Sequence, residues 1–192
     1  MNYILKLYLT SRFENHNLNI VNKIKTHIRD VNDFPKKGII FKDITPVLKS
    51  PSLCKEIVNE LSKNLSPQIT HIVGVESRGF LFGLPLSIKN NISFVLIRKK
   101  GKLPYKTVGV NYDLEYGSAS IEMNLGDINH GDKVIIHDDL LATGGTALAA
   151  ARLIVDQGGE VMGFSFLIEL AFLKGREKLQ KVSDNINSIV KY

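Results

Sequence analysis

The run Val134 to Thr146, VIIHDDLLATGGT, constrains this chain more than any other stretch of its length. Val134, Ile135 and Ile136 are β-branched and continuously apolar, the composition of a strand buried on both faces of a parallel sheet. Asp138 and Asp139 follow at its carboxyl end. From Thr146 onward, Ala147, Leu148, Ala149, Ala150, Ala151, Leu153, Ile154 and Val155 predict a helix, stopped by Gly158 and Gly159. Gly144 and Gly145 therefore lie where a strand hands over to a helix N-terminus.

Backbone N–H groups of such a turn point outward, and the helix dipole adds about half a positive charge there, so an anion is favoured. Two carboxylates beside a phosphate cradle repel a bare phosphate. Their natural partners are sugar hydroxyls or a divalent cation. A phosphorylated sugar with Mg²⁺ satisfies both demands, and the run resembles the phosphoribosyl diphosphate (PRPP) signature of the type I phosphoribosyltransferases. His137 departs from that pattern, because the family usually has a fourth apolar residue there. A buried neutral histidine with a hydrogen-bond partner is compatible with the same strand.

The 192 residues predict one domain with a well-buried core, and no apolar run approaches the ~20 residues of a membrane helix. The N-terminal MNYILKLYLTSRF is broken by Lys6 and reads as an extension, residues 1–18, of unknown role rather than a signal peptide. Cys54 is the single cysteine, so no internal disulfide is available, and a reducing, cytoplasmic setting is expected. The net charge of +6 fits nucleic acid or a small polyanion. Arg98, Lys99, Lys100, Lys102 and Lys106 cluster in one loop rather than along a helix, which favours the small polyanion.

Ser50 and Pro51 announce a helix, with Leu53, Ile57, Leu61 and Leu65 recurring every four residues. Strands are predicted at Ile69 to Val75, Ser93 to Ile97 and Val161 to Leu170, a helix at Phe80 to Ile88, and a short last segment at Ser183 to Val190. Such alternation predicts an α/β fold with a mainly parallel sheet, its ligand beyond the carboxyl ends of the strands. Gly101 to Asn124 breaks the pattern; its weak alternation predicts an antiparallel pair serving as a mobile flap, residues 99–124.

Gly74 to Gly79 has the GxxxxG spacing of a nucleotide-binding loop, but Phe80 and Leu81 replace its Lys and Ser/Thr. Ser77 and Arg78 nevertheless sit at a predicted helix start that suits a diphosphate. Lys99 and its neighbours give a second anion site, which is otherwise a solvated charge run.

Residues 28–46, IRDVNDFPKKGIIFKDITP, read from composition as a loop punctuated by Pro35, Gly38 and Pro46. This segment closely resembles the hood of the adenine phosphoribosyltransferases. The same family matches VGVESRGFLFG, RKKGKLPYKT, YDLEYGSASIE, HDDLLATGGTA and ELAFLKGREKL, in order, along nearly the whole chain from Ile24. The resemblance implies the type I phosphoribosyltransferase fold and a homodimer. It implies that Ile40 and Lys42 read the adenine edge with Phe41 nearby, that Leu170 lines the base pocket, that Glu115 is the flap acid and that Tyr116 packs over the substrate.

The reaction so implied is Mg²⁺-dependent: adenine and PRPP give AMP and pyrophosphate through an oxocarbenium-like transition state. Asp138 and Asp139 would grip the ribose hydroxyls, and Ala142, Thr143, Gly144, Gly145 and Thr146 would cradle the 5′-phosphate. Arg78 and Lys99 would take up leaving-group charge, and Glu115 would handle the purine proton. The metal would be held mainly by PRPP or pyrophosphate and water, with Asp138 and Asp139 as candidate protein ligands. Two alternatives are an enzyme for hypoxanthine, guanine or xanthine, and a PRPP-sensing regulator that binds nucleic acid. An oxopurine enzyme needs a donor for the 6-oxo group, often a lysine, yet the strand ends Ile168, Glu169, Leu170 with Lys174 further on. A regulator usually needs an added DNA-binding domain, for which too few residues precede the hood.

Overall fold

The computed structural model describes residues 19–114 and 117–192. They fall into two compact units, divided between Ile57 and Val58. The extension at 1–18, and Glu115 and Tyr116, lie outside the described residues.

In the first unit, helix α1 covers 19–27, followed by strands β1 (Arg29–Asn32) and β2 (Ile40–Asp43) and helix α2 (Thr45–Leu48). The segment that composition reads as a loop is thus a short antiparallel hairpin, Arg29 opposite Asp43 and Asn32 opposite Ile40. Cross-strand charges hold it: Lys42 Nζ lies 2.8 Å from Asp30 Oδ1, and Arg29 pairs with Asp43. The Phe34–Pro35 peptide is cis, and Phe34 meets Phe41 edge-on at 5.2 Å between ring centres. Asp43 also accepts the Thr45 backbone N–H at 2.9 Å, which starts α2. That hydrogen bond, with help from Arg29, takes the Asp43 carboxyl down to about 2.

Helix α3 (Pro51–Ser62) begins at the predicted proline, but ends before Leu65. Beyond it the second unit is built on a seven-stranded sheet of order β5-β6-β4-β3-β7-β8-β9. The strands are β3 (His71–Val75), β4 (Ser93–Lys99), β5 (Thr107–Leu114), β6 (Gly117–Asn124), β7 (Lys133–Leu141), β8 (Glu160–Glu169) and β9 (Ile186–Lys191). Pairings from β4 through β3, β7 and β8 to β9 are parallel, as expected; β5 and β6 add an antiparallel edge. The region expected to be a flap therefore has its strands integrated into the main sheet.

Helices α4 (Gly79–Asn90) and α5 (Gly145–Asp156) follow β3 and β7, and a short α6 (Gly175–Leu179) follows β8. The core is aliphatic and aromatic, with Val73, Ile97, Ile136, Leu153, Phe164 and Phe166 buried. Close approach of α4 to the sheet depends on glycine. A Cβ at Gly74 would fall 2.5 Å, and one at Gly83 2.8 Å, from the Phe94 ring. Because β3 pairs with β4 on one side and β7 on the other, its carboxyl end lies where the chain's direction across the sheet reverses. In open α/β sheets that is where ligands bind.

Candidate active site

Residues after β3 and around the end of β7 converge there on a cavity of about 400 Å³, lined by Glu76, Ser77, Arg78, Lys99, Asp138, Asp139, Leu140, Ala142 and Thr146. Seven of the residues singled out from sequence thus share one pocket. Strand β7 runs to Leu141, further than its apolar stretch indicates, so both aspartates lie within the strand rather than after it.

Asp139 is buried, and its Oδ2 stands 3.1 Å from Arg78 Nε. Asp138 is half-buried and accepts the Asp139 backbone N–H at 2.8 Å. The aspartates are therefore not equivalent: Asp139 pairs with Arg78, and Asp138 accepts from the backbone of the next residue. Burial, then the neighbouring Asp139 charge, pushes the Asp138 carboxyl well above the ordinary carboxylate range. Burial raises Asp139 as well, with Arg78 opposing.

The opposite wall is built by Glu76, whose Oε2 accepts from Arg98 Nε and from the Lys99 backbone N–H, both at 3.0 Å. Arg98, grouped by sequence with the anion-binding lysines, is thus a structural partner of Glu76, whereas the exposed Lys99 lines the cavity. The Glu76–Ser77 peptide is cis. Glu122, which sequence reading did not single out, shapes the loop beyond Lys99. Buried on β6, it accepts the backbone N–H groups of Gly101 (2.9 Å), Lys102 (3.2 Å) and Leu103 (3.2 Å) and the Thr107 hydroxyl (3.2 Å). Burial alone would raise its pKa, but these donors outweigh it and lower the carboxyl. Its neighbours Ile121 and Met123 are the core residues of β6, so Glu122 alternates onto the other face and reads from sequence as an ordinary polar position.

The floor is the turn 142–146. Gly144, the residue before α5, has φ +77, and α5 has no side-chain cap, so the helix's first N–H groups face outward for a ligand. Thr146 Oγ1 lies 3.2 Å from the Tyr112 hydroxyl on β5. One residue before the aspartates, His137 is fully buried, with Nδ1 3.2 Å from Ser165 Oγ. Desolvation takes its pKa down to about 4, so it is neutral, as the strand requires. Leu170 is half-buried at the end of β8, its N–H donating to Leu141 O at 2.9 Å. Ile40, Phe41 and Lys42 lie on β2 of the other unit, Ile40 exposed.

A larger cavity of about 750 Å³ lies between β5, α5 and α6, with Val110, Leu148, Val155 and Val182 in its lining. Arg152, Lys178 and Lys181 also line it, but among the described residues no carboxylate does, so it lacks the acceptors that sugar hydroxyls need.

Comparison with known proteins agrees with this arrangement. Residues 42–191 match the phosphoribosyl transferase domain model. An adenine phosphoribosyltransferase of Cytophaga hutchinsonii is 52% identical over 170 residues, 88% of this chain and 94% of that one. The crystal structure of the adenine phosphoribosyltransferase of Thermoanaerobacter pseudethanolicus superposes with a TM-score of 0.85 at 46% identity, covering 90% of this chain and 99% of that one. The Saccharomyces cerevisiae adenine phosphoribosyltransferase, solved with an imino-altritol bisphosphate and adenine, gives 0.84 at 36% identity, covering 90% and 99%. With the PRPP-like turn, the paired aspartates and the arginine and lysine opposite them in one pocket, the chain belongs to the adenine phosphoribosyltransferase family.

Proposed function

We propose that this protein is a purine-salvage enzyme that transfers the 5-phosphoribosyl group of PRPP to adenine, giving AMP and pyrophosphate. The observation that carries the reading is the single cavity in which Ser77, Arg78, Lys99, Asp138, Asp139, Ala142 and Thr146 meet. A ribose between two anions needs such a lining: amides at the 5′-phosphate, an acceptor at the hydroxyls and cations at the diphosphate.

Backbone N–H groups at Thr143 to Thr146 hold the 5′-phosphate, with the Thr146 hydroxyl beside them. Asp138 accepts from the ribose hydroxyls. Asp139, fixed to Arg78, holds that guanidinium where the diphosphate departs, and Lys99 adds charge from the other side. Such preorganised charge acts on the transition state without reorganisation at the moment of reaction. Ile40, Phe41 and Lys42 of the hood (28–46) and Leu170 receive adenine; on the flap (99–124), Glu115 moves the purine proton and Tyr116 covers the site. Hood, flap and the extension at 1–18 belong to one phosphoribosyltransferase domain.

Among the described residues no three His, Cys, Asp or Glu side chains gather to form a metal cage. The hard oxygens of Asp138 and Asp139 suit Mg²⁺ as a minority of its ligands, the diphosphate and water supplying the rest. The ion would offset charge on the leaving diphosphate. Leu81, Leu84 and Ile88 are exposed on α4 at helical spacing, an apolar stripe that supports a homodimer. Among the described residues no helix is long and apolar enough to cross a membrane, and we place the enzyme in the cytoplasm.

Purified protein incubated with PRPP, adenine and Mg²⁺ is expected to release AMP and pyrophosphate in equal amounts, and neither after chelation. Pyrophosphate without AMP would mean PRPP hydrolysis and would defeat the reading.

A further inference from the structure

The LKGREKL part of the last sequence motif has no role in the chemistry above, yet it touches the phosphate turn. We propose that Arg176, clamped by Glu169, is a positioning residue for the 5′-phosphate site: it presses Gly175 against residues 142–144 and so sets the direction of the turn's N–H groups. The inference rests on the phosphoribosyl reading of that turn.

α5 has no side-chain cap, and Thr146, 3.2 Å from the Tyr112 hydroxyl, anchors only the helix end of the turn. The constraint comes from Gly175. A Cβ there would run into the Ala142 carbonyl oxygen and lie 3.0 Å from Gly144 N. Conversely, a Cβ on Gly144 would lie 2.8 Å from Gly175 O. The two backbones touch with nothing between them, so a shift of Gly175 moves the turn.

Gly175 opens α6, a five-residue helix that follows Lys174 at φ 54. A helix this short has little stability of its own, since nucleation is unfavourable and few bonds follow it. Its anchor is Arg176. Nε donates to Glu169 Oε1 at 2.9 Å, Nη2 to Oε2 at 2.5 Å, and Nη1 to the Ile186 carbonyl at 2.8 Å. Glu169 is buried at the end of β8, where it pairs with Leu141 of β7. The Leu170 N–H bonds to Leu141 O, one residue before the turn begins. A closed circuit results: Leu141, the turn 142–144, Gly175, Arg176, Glu169 and back to Leu141. The planar fork matters as well as the charge, because a lysine cannot span both carboxylate oxygens and the Ile186 carbonyl.

Ribose 5-phosphate, which carries the sugar phosphate without base or diphosphate, is the probe, and pyrophosphate is the control for the Arg78 and Lys99 end. Calorimetric titration of Gly175→Ala and Arg176→Lys should show ribose 5-phosphate weakened roughly tenfold or more, the worth of one hydrogen bond to a charged group, with pyrophosphate changed by less than about twofold. Equal ribose 5-phosphate affinity in folded variants would overturn the proposal, as would parallel loss of both ligands, which marks general loosening. Should Gly175→Ala fail to fold, Arg176→Lys alone decides. An unmodified protein that binds no ribose 5-phosphate would instead overturn the phosphoribosyl reading itself.

Discussion

His137 makes the stability of this protein depend on pH in a way that can be isolated. It is neutral and fully buried in β7, with a pKa of about 4 against an ordinary value of 6.5. Its folded value is depressed, so its contribution to stability is complete above pH 6.5. Between 6.5 and 4 the unfolded chain takes up a proton that the folded protein refuses, and stability is lost. At 1.36 kcal/mol per pH unit, the loss across that window is about 3 kcal/mol. Replacing the pair together, His137→Val with Ser165→Ala, leaves neither partner with an unmet hydrogen bond; among the described residues His137 Nε2 already has none. Urea unfolding of both proteins from pH 8 to pH 4 measures the difference, and carboxylates common to both cancel. The double variant should gain about 3 kcal/mol relative to the parent as pH falls from 7 to 4, nearly all of it below 6.5. A difference that stays flat with pH would refute the reasoning.

Asp138→Asn should raise the melting temperature of the ligand-free protein at pH 7 to 8. A carboxyl whose folded pKa is raised costs stability once pH exceeds its unfolded value, and the amide removes that cost. The same change should lower turnover roughly 10²-fold through misplacement of the ribose; a lower melting temperature would contradict the electrostatic account. Glu122→Ala should destabilise by about 2 kcal/mol, because three backbone N–H groups and the Thr107 hydroxyl lose their charged acceptor, and should raise the KM for PRPP by loosening the loop after Lys99. Chemical unfolding and initial rates check it, and unchanged stability would show the donors find other partners. Glu115→Gln should lower kcat by about 10²- to 10⁴-fold while PRPP affinity holds; equal loss in both would remove Glu115 from proton handling.

The apolar strand at Val134 to Ile136, the glycine-rich turn and the alanine-rich helix after it are where the sequence predicts them, because burial on both faces and strong helix propensity leave little choice. Strand ends were less legible. Ladder pairing with β8 carries β7 through Asp138 and Asp139, which are polar and look like loop. Similarly, β1 and β2 are charged, and cross-strand pairs such as Lys42 with Asp30 rather than apolar alternation hold them together. The pocket's residue types were readable, but the different settings of the two aspartates were not, since they depend on which one Arg78 reaches. Glu122 and Gly175 meet backbone some twenty to thirty residues away, and Arg176 reaches the Glu169 carboxylate and the Ile186 carbonyl only once the chain has folded back, contacts which no local pattern announces.

The central claim concerns the base. Initial rates with PRPP, Mg²⁺ and adenine, hypoxanthine, guanine or xanthine in separate reactions test it most directly, read as nucleoside monophosphate formed. AMP from adenine with negligible product from the three oxopurines is the predicted result. Comparable or faster turnover of any oxopurine would contradict it.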